Sequence, residues 1–318
     1  MSSALVVRSD DCLQHVPGAE IWVGVRTPGT EVPERATRIE DALRAAGHRV
    51  VDAVPHDDDV LHRVHDPRLV AHLRTVYARW VGAGFPDVPG QDRVVPYLIP
   101  SPAMLDGLPL REPTAVHAAA GRWCYDTMTL VGPGTWEAAR AAVDVAQTAV
   151  DAVVGGEPLA YALARPPGHH VTRAAYGGSC YLNNAAVAAQ ALRDAGHDRV
   201  AVVDIDAHHG NGTQAVFYDR ADVLYASLHI DPASGWFPHY AGFADETGRG
   251  GGRGANLNVP LPEGTGDDAW LIALDRIANA VETHGASALV VSLGVDAALA
   301  DPESPLRVSH EAYETGGR

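Results

Sequence analysis

Three apolar runs that stop abruptly in dense polar clusters constrain this chain more than any other feature. Leu159–Ala164 runs into Arg165-Pro-Pro-Gly-His169-His170. Val200–Asp204 runs into Ile205-Asp206-Ala-His208-His209-Gly-Asn211-Gly. Ala288–Leu293 runs into Gly294-Val-Asp296. Short continuous apolar runs, with a fourth at Val223–His229, read as strands buried on both faces, which is the habit of parallel sheets. Helical stretches fit between them. Asn184 to Ala195 stops at Gly196, and Asp267 to His284 stops at Gly285 with Trp270, Leu271, Leu274, Ile277, Ala278 and Val281 on one face.

The first half follows the same alternation. Strands are expected at Leu5 to Val7 and His48 to Val54. Between them a helix over Pro33 to Ala46 has Pro in its first turn, Gly47 past its end, and Ile39, Ala42, Leu43 and Ala46 as its apolar stripe. A second helix runs from Thr135, read as its N-cap, to Val154. Residues 85–114 are rich in Pro, Gly and Asp and lack periodicity, so they read as a functional loop or insertion. With no linker or repeat in its 318 residues, the chain is expected to form a single domain. Its fold class is α/β, a doubly wound, mainly parallel sheet flanked by helices.

The polar clusters carry the chemistry. In open α/β sheets ligands bind beyond the carboxyl ends of the strands, so clusters distant in sequence can share one site. Asp206 and His208 are two residues apart and project to the same face of an extended segment. With Asp296 they offer two carboxylates and one imidazole, a set suited to catalytic Zn²⁺ or Fe²⁺ with an open position for water. Gly210 and Gly212 are expected to permit tight turns beside the ion. Taken singly, each element has a plainer reading: a hydrogen-bonded structural histidine, an Asp that caps a helix, or a His169-His170 pair that steadies a loop. Their joint occurrence at three strand ends favours a metal site. A tandem histidine pair has a task there, taking a proton from attacking water and protonating a leaving amine. Asp204 is suited to hold one imidazole in its tautomer.

Charge and composition exclude other classes. The net charge of −16 argues against binding nucleic acid and favours cationic small molecules. All 24 basic residues are Arg, which with the heavy Ala and Gly usage reads as genomic base composition. The cysteines Cys12, Cys124 and Cys180 are scattered, form no C-x-x-C pair and suggest a reducing compartment. No apolar run approaches the ~18 residues of a membrane span, and the N-terminus lacks a signal-peptide pattern. A cytoplasmic protein is therefore expected.

The stretch from Arg165 to Asp296 resembles the zinc-dependent deacetylase family, which includes histone deacetylases and acetylpolyamine amidohydrolases. The matching strings are RPPGHH (165–170), GGSCYLNNAAVAAQ (177–190), VVDIDAHHGNGTQAVFYDR (202–220), SLHIDP (227–232), FPH (237–239), ETGRGGG (246–252) and VSLGVDA (291–297). Weaker matches lie upstream at PERATRI (33–39), VHDPRLV (64–70) and GTWEAA (134–139). GTWEAA and the 85–114 insertion are similar to the acetylpolyamine amidohydrolase branch.

The resemblance implies an arginase/deacetylase-like fold with zinc on Asp206, His208 and Asp296, and His169 and His170 as the catalytic tandem. It also implies that Asp204 orients His169. A structural K⁺ would sit at Asp204 and main-chain oxygens of Asp206, His208, Ser227 and Leu228. Asn211 would stand beside His170, the Gly178 carbonyl would accept the substrate amide N–H, and Phe237 would wall the substrate tunnel. The 85–114 loop would form a homodimer and narrow the tunnel to slender, cationic acylated amines.

Ser179 replaces an aromatic wall residue common in the family. The family's catalytic tyrosine lies in a Glu-Gly-Gly-Tyr string after one further strand, whereas this chain ends at Thr315-Gly-Gly-Arg318. The expectation is therefore a zinc-binding chain of low turnover. The leading reading is removal of an acetyl or related acyl group from a primary amine. Alternatives are a protein acetyl-lysine deacetylase, a non-catalytic metal- and acyl-amine-binding relative, and, more weakly, a binuclear manganese hydrolase.

Overall fold

The computed structural model describes residues 4–318. The chain divides into two compact units at residues 187 and 188.

The first unit opens with β1 (Leu5–Arg8), followed by the antiparallel hairpin β2 (Glu20–Trp22) and β3 (Val25–Thr27). Then come α1 (Glu34–Ala45), β4 (Arg49–Asp52), α2 (Asp59–His62), α3 (Pro67–Gly82), α4 (Pro102–Leu105), α5 (Val116–Trp123), α6 (Thr135–Val154) and β5 (Ala160–Ala162). β1 is the middle of a parallel sheet ordered β4-β1-β5. Its Leu5 and Val7 pack with Cys12 on Ala141, Ala142, Val145 and Ala149 of α6. Small side chains on that helix face let it lie close to the sheet.

Thr135 does not cap α6 as expected. Gly134 takes the cap with φ of 75°, in a corner where a Cβ would meet the Gln14 carbonyl oxygen at 2.4 Å. The Thr135 hydroxyl instead accepts from Gly132 N–H (3.0 Å) and meets His15 Nδ1 (3.0 Å). The 85–114 segment is not wholly irregular, since it holds α4 and a 3₁₀ turn at Phe85–Asp87. It exposes Tyr97, Met104 and Leu108.

Helix α7 (Asn184–Asp194) crosses the division between the units. The second unit continues with β6 (Val200–Asp204), α8 (Asn211–Phe217), β7 (Val223–Ile230), β8 (Asn256–Leu261), α9 (Asp267–His284), β9 (Ala288–Ser292) and α10 (His310–Gly316). Its sheet is parallel throughout, ordered β8-β7-β6-β9. Every residue of β6 and β7 is buried, as their mainly apolar character predicts, including the polar Asp204, Ser227 and His229. α9 covers the sheet with Trp270, Ala273 and Ile277 buried, whereas Ala278, expected on that face, is exposed. The register sets Asp204 opposite both Ser227 and Ser292. The carboxyl ends of β6 and β9 are thus level, so the loops that follow them begin side by side, while β7 continues to Ile230.

Candidate functional site

The loops after β6 and β9 bring Asp206, His208 and Asp296 together, with one ligand atom from each lying within 4.8 Å of the others. His208 Nδ1 is 2.8 Å from Asp296 Oδ2 and 3.4 Å from Asp206 Oδ1. The backbone completes the arrangement. His208 N–H donates to Asp206 Oδ1 (2.8 Å), Ala207 N–H to Asp296 Oδ1 (2.8 Å), and Asp206 N–H to Asp204 Oδ1 (3.3 Å). Asp296 is therefore tied to the loop of the neighbouring strand.

The electrostatics ask for a cation. Burial alone would lower the His208 pKa, yet hydrogen bonds to Asp206 and Asp296 raise it to about 10. Asp296 is raised by burial and by repulsion from Asp206, a rise that His208 partly offsets. Two half-buried carboxylates around one imidazole carry more negative charge than a single proton neutralises. A divalent ion answers that need better, and the donor set suits zinc.

Gly294 makes the approach possible, since a Cβ there would lie 2.1 Å from Asp206 Oδ2. The expectation for Gly210 is corrected, because its φ is −75° and needs no glycine freedom. The requirement falls on Gly294, signalled only by its place two residues before Asp296.

Asp204 is fully buried and its Oδ2 accepts from Tyr225 Oη (3.2 Å). Ser227 and Leu228 are buried on the adjoining strand β7. Asn211 begins α8, its N–H donating to the His209 carbonyl (2.8 Å). Phe237 lies half-buried in the segment after β7.

In the first unit, His169 and His170 are buried with ring centroids 3.9 Å apart. Their loop is pinned at successive points. The buried Arg165 donates to the Glu31 carboxylate (2.9 Å) and to the carbonyls of Cys12 (2.7 Å), His15 (2.6 Å) and Glu31 (2.7 Å). Tyr125 Oη donates to the His170 carbonyl (2.9 Å) and Asn183 Nδ2 to that of Val171 (3.0 Å). His65 Nδ1 donates to Thr172 O (3.1 Å), while its Nε2 accepts from Asn183 N–H (2.9 Å). Both ring nitrogens are thus engaged in the neutral form, and burial lowers the His65 pKa to about 4.

Gly178 adopts φ of 59° and donates its N–H to Asp126 Oδ2 (2.6 Å). Asp126 Oδ1 also accepts from Met128 N–H (2.9 Å) and Thr129 N–H (2.8 Å). A Cβ on Gly177 would strike Tyr125 and Asp126 at 2.4 and 2.7 Å. Tyr125 and Asp126 therefore anchor both the tandem-histidine loop and the turn at Gly178. Sequence reasoning missed both, along with His65 and Glu31. The signal was an Asp followed three residues on by Thr129, a local turn pattern common in loops.

Parallel sheets with helices around them, bearing a carboxylate–imidazole–carboxylate cluster at the strand ends, define an α/β protein built to hold a metal. The chain belongs to the histone deacetylase family, whose domain matches residues 29–318. It is 39% identical over 319 residues to the acetylpolyamine amidohydrolase of Mycoplana ramosa, covering 98% of this chain and 89% of that one. It is 42% identical over 283 residues to the acetylpolyamine amidohydrolase of Burkholderia pseudomallei, covering 89% and 80%. A crystal structure of the acetylpolyamine aminohydrolase from Burkholderia pseudomallei superposes with a TM-score of 0.91 at 39% identity, covering 99% of this chain and 89% of that one. Among the described residues no helix is long and apolar enough to cross a membrane.

Proposed function

We propose that this chain is a metal-dependent amidohydrolase that removes an acetyl group from a primary amine, with a small cationic molecule such as an acetylated polyamine as substrate. The observation that carries the reading is the Asp206–His208–Asp296 cluster, in a chain alike over nearly its whole length to acetylpolyamine amidohydrolases. These three residues would hold one divalent ion, zinc by the character of the ligands, with Fe²⁺ the alternative. The ion, when bound, supplies Lewis-acid polarisation of a carbonyl and lowers the pKa of water.

The protein's own groups do the rest. In this reading His169 and His170 serve that centre, one accepting the proton from the attacking water and one delivering a proton to the departing amine. Asp204 holds His169 in its tautomer and Asn211 contacts His170. The Gly178 carbonyl accepts the substrate amide N–H, positioned by Asp126. Phe237 forms an apolar wall. A monovalent cation, K⁺, fits beside the buried Asp204 with main-chain oxygens of Asp206, His208, Ser227 and Leu228. The exposed apolar side chains of the 85–114 segment support a homodimer, and the charge of −16 suits a cationic substrate.

The test is an assay of zinc-loaded protein against acetylputrescine and an acetyl-lysine peptide. Preference for acetylputrescine supports the proposal. Preference for the peptide points to a protein deacetylase. Binding of both without turnover points to a non-catalytic relative.

A further inference from the structure

Behind the metal cluster, and using none of its ligands, lies a closed polar network centred on Gln214. This side chain is 7% exposed on α8. Its Oε1 accepts from Asn256 Nδ2 (2.9 Å), Asn258 Nδ2 (2.8 Å) and His209 Nε2 (3.1 Å). Its Nε2 donates to Glu246 Oε2 at 2.6 Å. The direction of every bond is fixed by groups that can only accept. Asn258 Nδ2 also donates to the Phe243 carbonyl (3.1 Å) and Asn256 Nδ2 to the Glu246 carbonyl (2.5 Å). Both amides must therefore present N–H to Gln214, and Gln214 must present N–H to the carboxylate.

Glu246 Oε2 in turn accepts from Gly242 N–H (2.9 Å) and Asn258 Nδ2 (3.3 Å). The Gly242 carbonyl meets His229 Nε2 (2.8 Å). Gly242 has φ of 107°, and a Cβ on it would press within 2.8 Å of both His209 and His229. The backbone of this segment is therefore seated directly on the residue adjoining the ligand His208. Phe237 lies in the same segment, five residues before Gly242.

We infer that Gln214 and Glu246 are positioning residues that hold the 236–246 segment, and with it Phe237, against the metal-bearing loop, and so set acyl-chain selectivity. The inference rests on the reading of Phe237 as a tunnel wall. A side chain at 214 must accept at one end and donate at the other. A carboxylate there would oppose Glu246, and an apolar residue would strand three buried N–H donors.

The test uses full-length, zinc-loaded protein and compares N-acetylputrescine with N-butyrylputrescine. Glu246→Gln can still turn an amide oxygen toward the three N–H donors that converge on Oε2, but it removes the charge that strengthens those bonds. It should raise KM for the acetyl substrate about tenfold, the scale of one buried hydrogen bond. It should erode acetyl-over-butyryl preference by a similar factor and leave zinc stoichiometry intact. Hydrogen exchange at Gly242 N–H should accelerate. Pairing Glu246→Gln with Gln214→Glu restores a charge-assisted contact with donor and acceptor exchanged and should recover part of the preference. If Glu246→Gln does not fold, Gln214→Asn, one methylene shorter, serves in its place.

Phe237→Ala separates the two ideas. A change of preference in Phe237→Ala but not in the network variants overturns the positioning role and leaves the wall intact. No change in Phe237→Ala overturns the wall and the inference with it. Unaltered exchange at Gly242 overturns the inference by itself.

Discussion

The loop that follows β6 and the tandem-histidine loop at 165–172 each carry two consecutive histidines, yet they are built on opposite principles. In the first, side chains turn toward one another. Asp206, His208 and Asp296 meet as a charged group: the two carboxylates raise the His208 pKa against its burial, while burial and Asp206 raise that of Asp296. In the second, the backbone is held from outside by Arg165, Tyr125, Asn183 and a neutral His65. The paired rings of His169 and His170 lie tilted with centroids 3.9 Å apart, carried by a tethered chain. A loop of the first kind is completed by a cation. A loop of the second kind is a rigid mount for its paired imidazoles.

The contrast breaks most visibly at the ligands. Asp206→Ala or Asp296→Ala should remove stoichiometric zinc and reduce turnover to background, because each variant leaves only two of three donors. Elemental analysis with an acetylputrescine assay reads both. Gly294→Ala keeps every ligand but drives a methyl into Asp206 Oδ2. Zinc affinity should fall roughly 10–100-fold, the scale for disturbing a ligand's support. Competition with a chromogenic chelator measures it.

On the other loop, Tyr125→Phe deletes the hydroxyl that donates to the His170 carbonyl. It should lower kcat about tenfold while zinc content stays at the wild-type value. Loss of zinc in that variant would erase the distinction between the two loops.

The smallest effect is in stability against pH. His65 has a folded pKa of about 4 against an ordinary 6.5, lowered by the burial that keeps it neutral. A depressed folded pKa means that the unfolded chain binds the proton more tightly. This contribution to stability is therefore full above about pH 6.5 and lost as pH falls through about 4. The thermal midpoint should fall over that window. His65→Gln, whose amide can accept from Asn183 and donate to Thr172 without titrating, should fall less.

How far these features could be read from the chain follows from what each side chain faces. β6 and β7 were legible because every position is buried and most are apolar. β8 was not, because Asn256 and Asn258 face the Gln214 network where alternation would place apolar side chains, and Pro260 sits on an edge strand. The metal ligands were legible from the two-residue spacing of Asp206 and His208 and from Asp296 at another strand end. Gly294 was not, since its role depends on a carboxylate from a different strand. Tyr125, Asp126 and His65 support the tandem-histidine loop and the Gly178 turn from loops far away in sequence, and no local pattern links them.

Zinc K-edge absorption on the zinc-loaded full chain tests the central claim most directly. Asp206, His208 and Asp296 predict one zinc per chain in a shell of oxygen and nitrogen only, with outer-shell scattering from a single imidazole. A sulfur shell, or scattering from two or more imidazoles, would place the ion elsewhere and contradict the account.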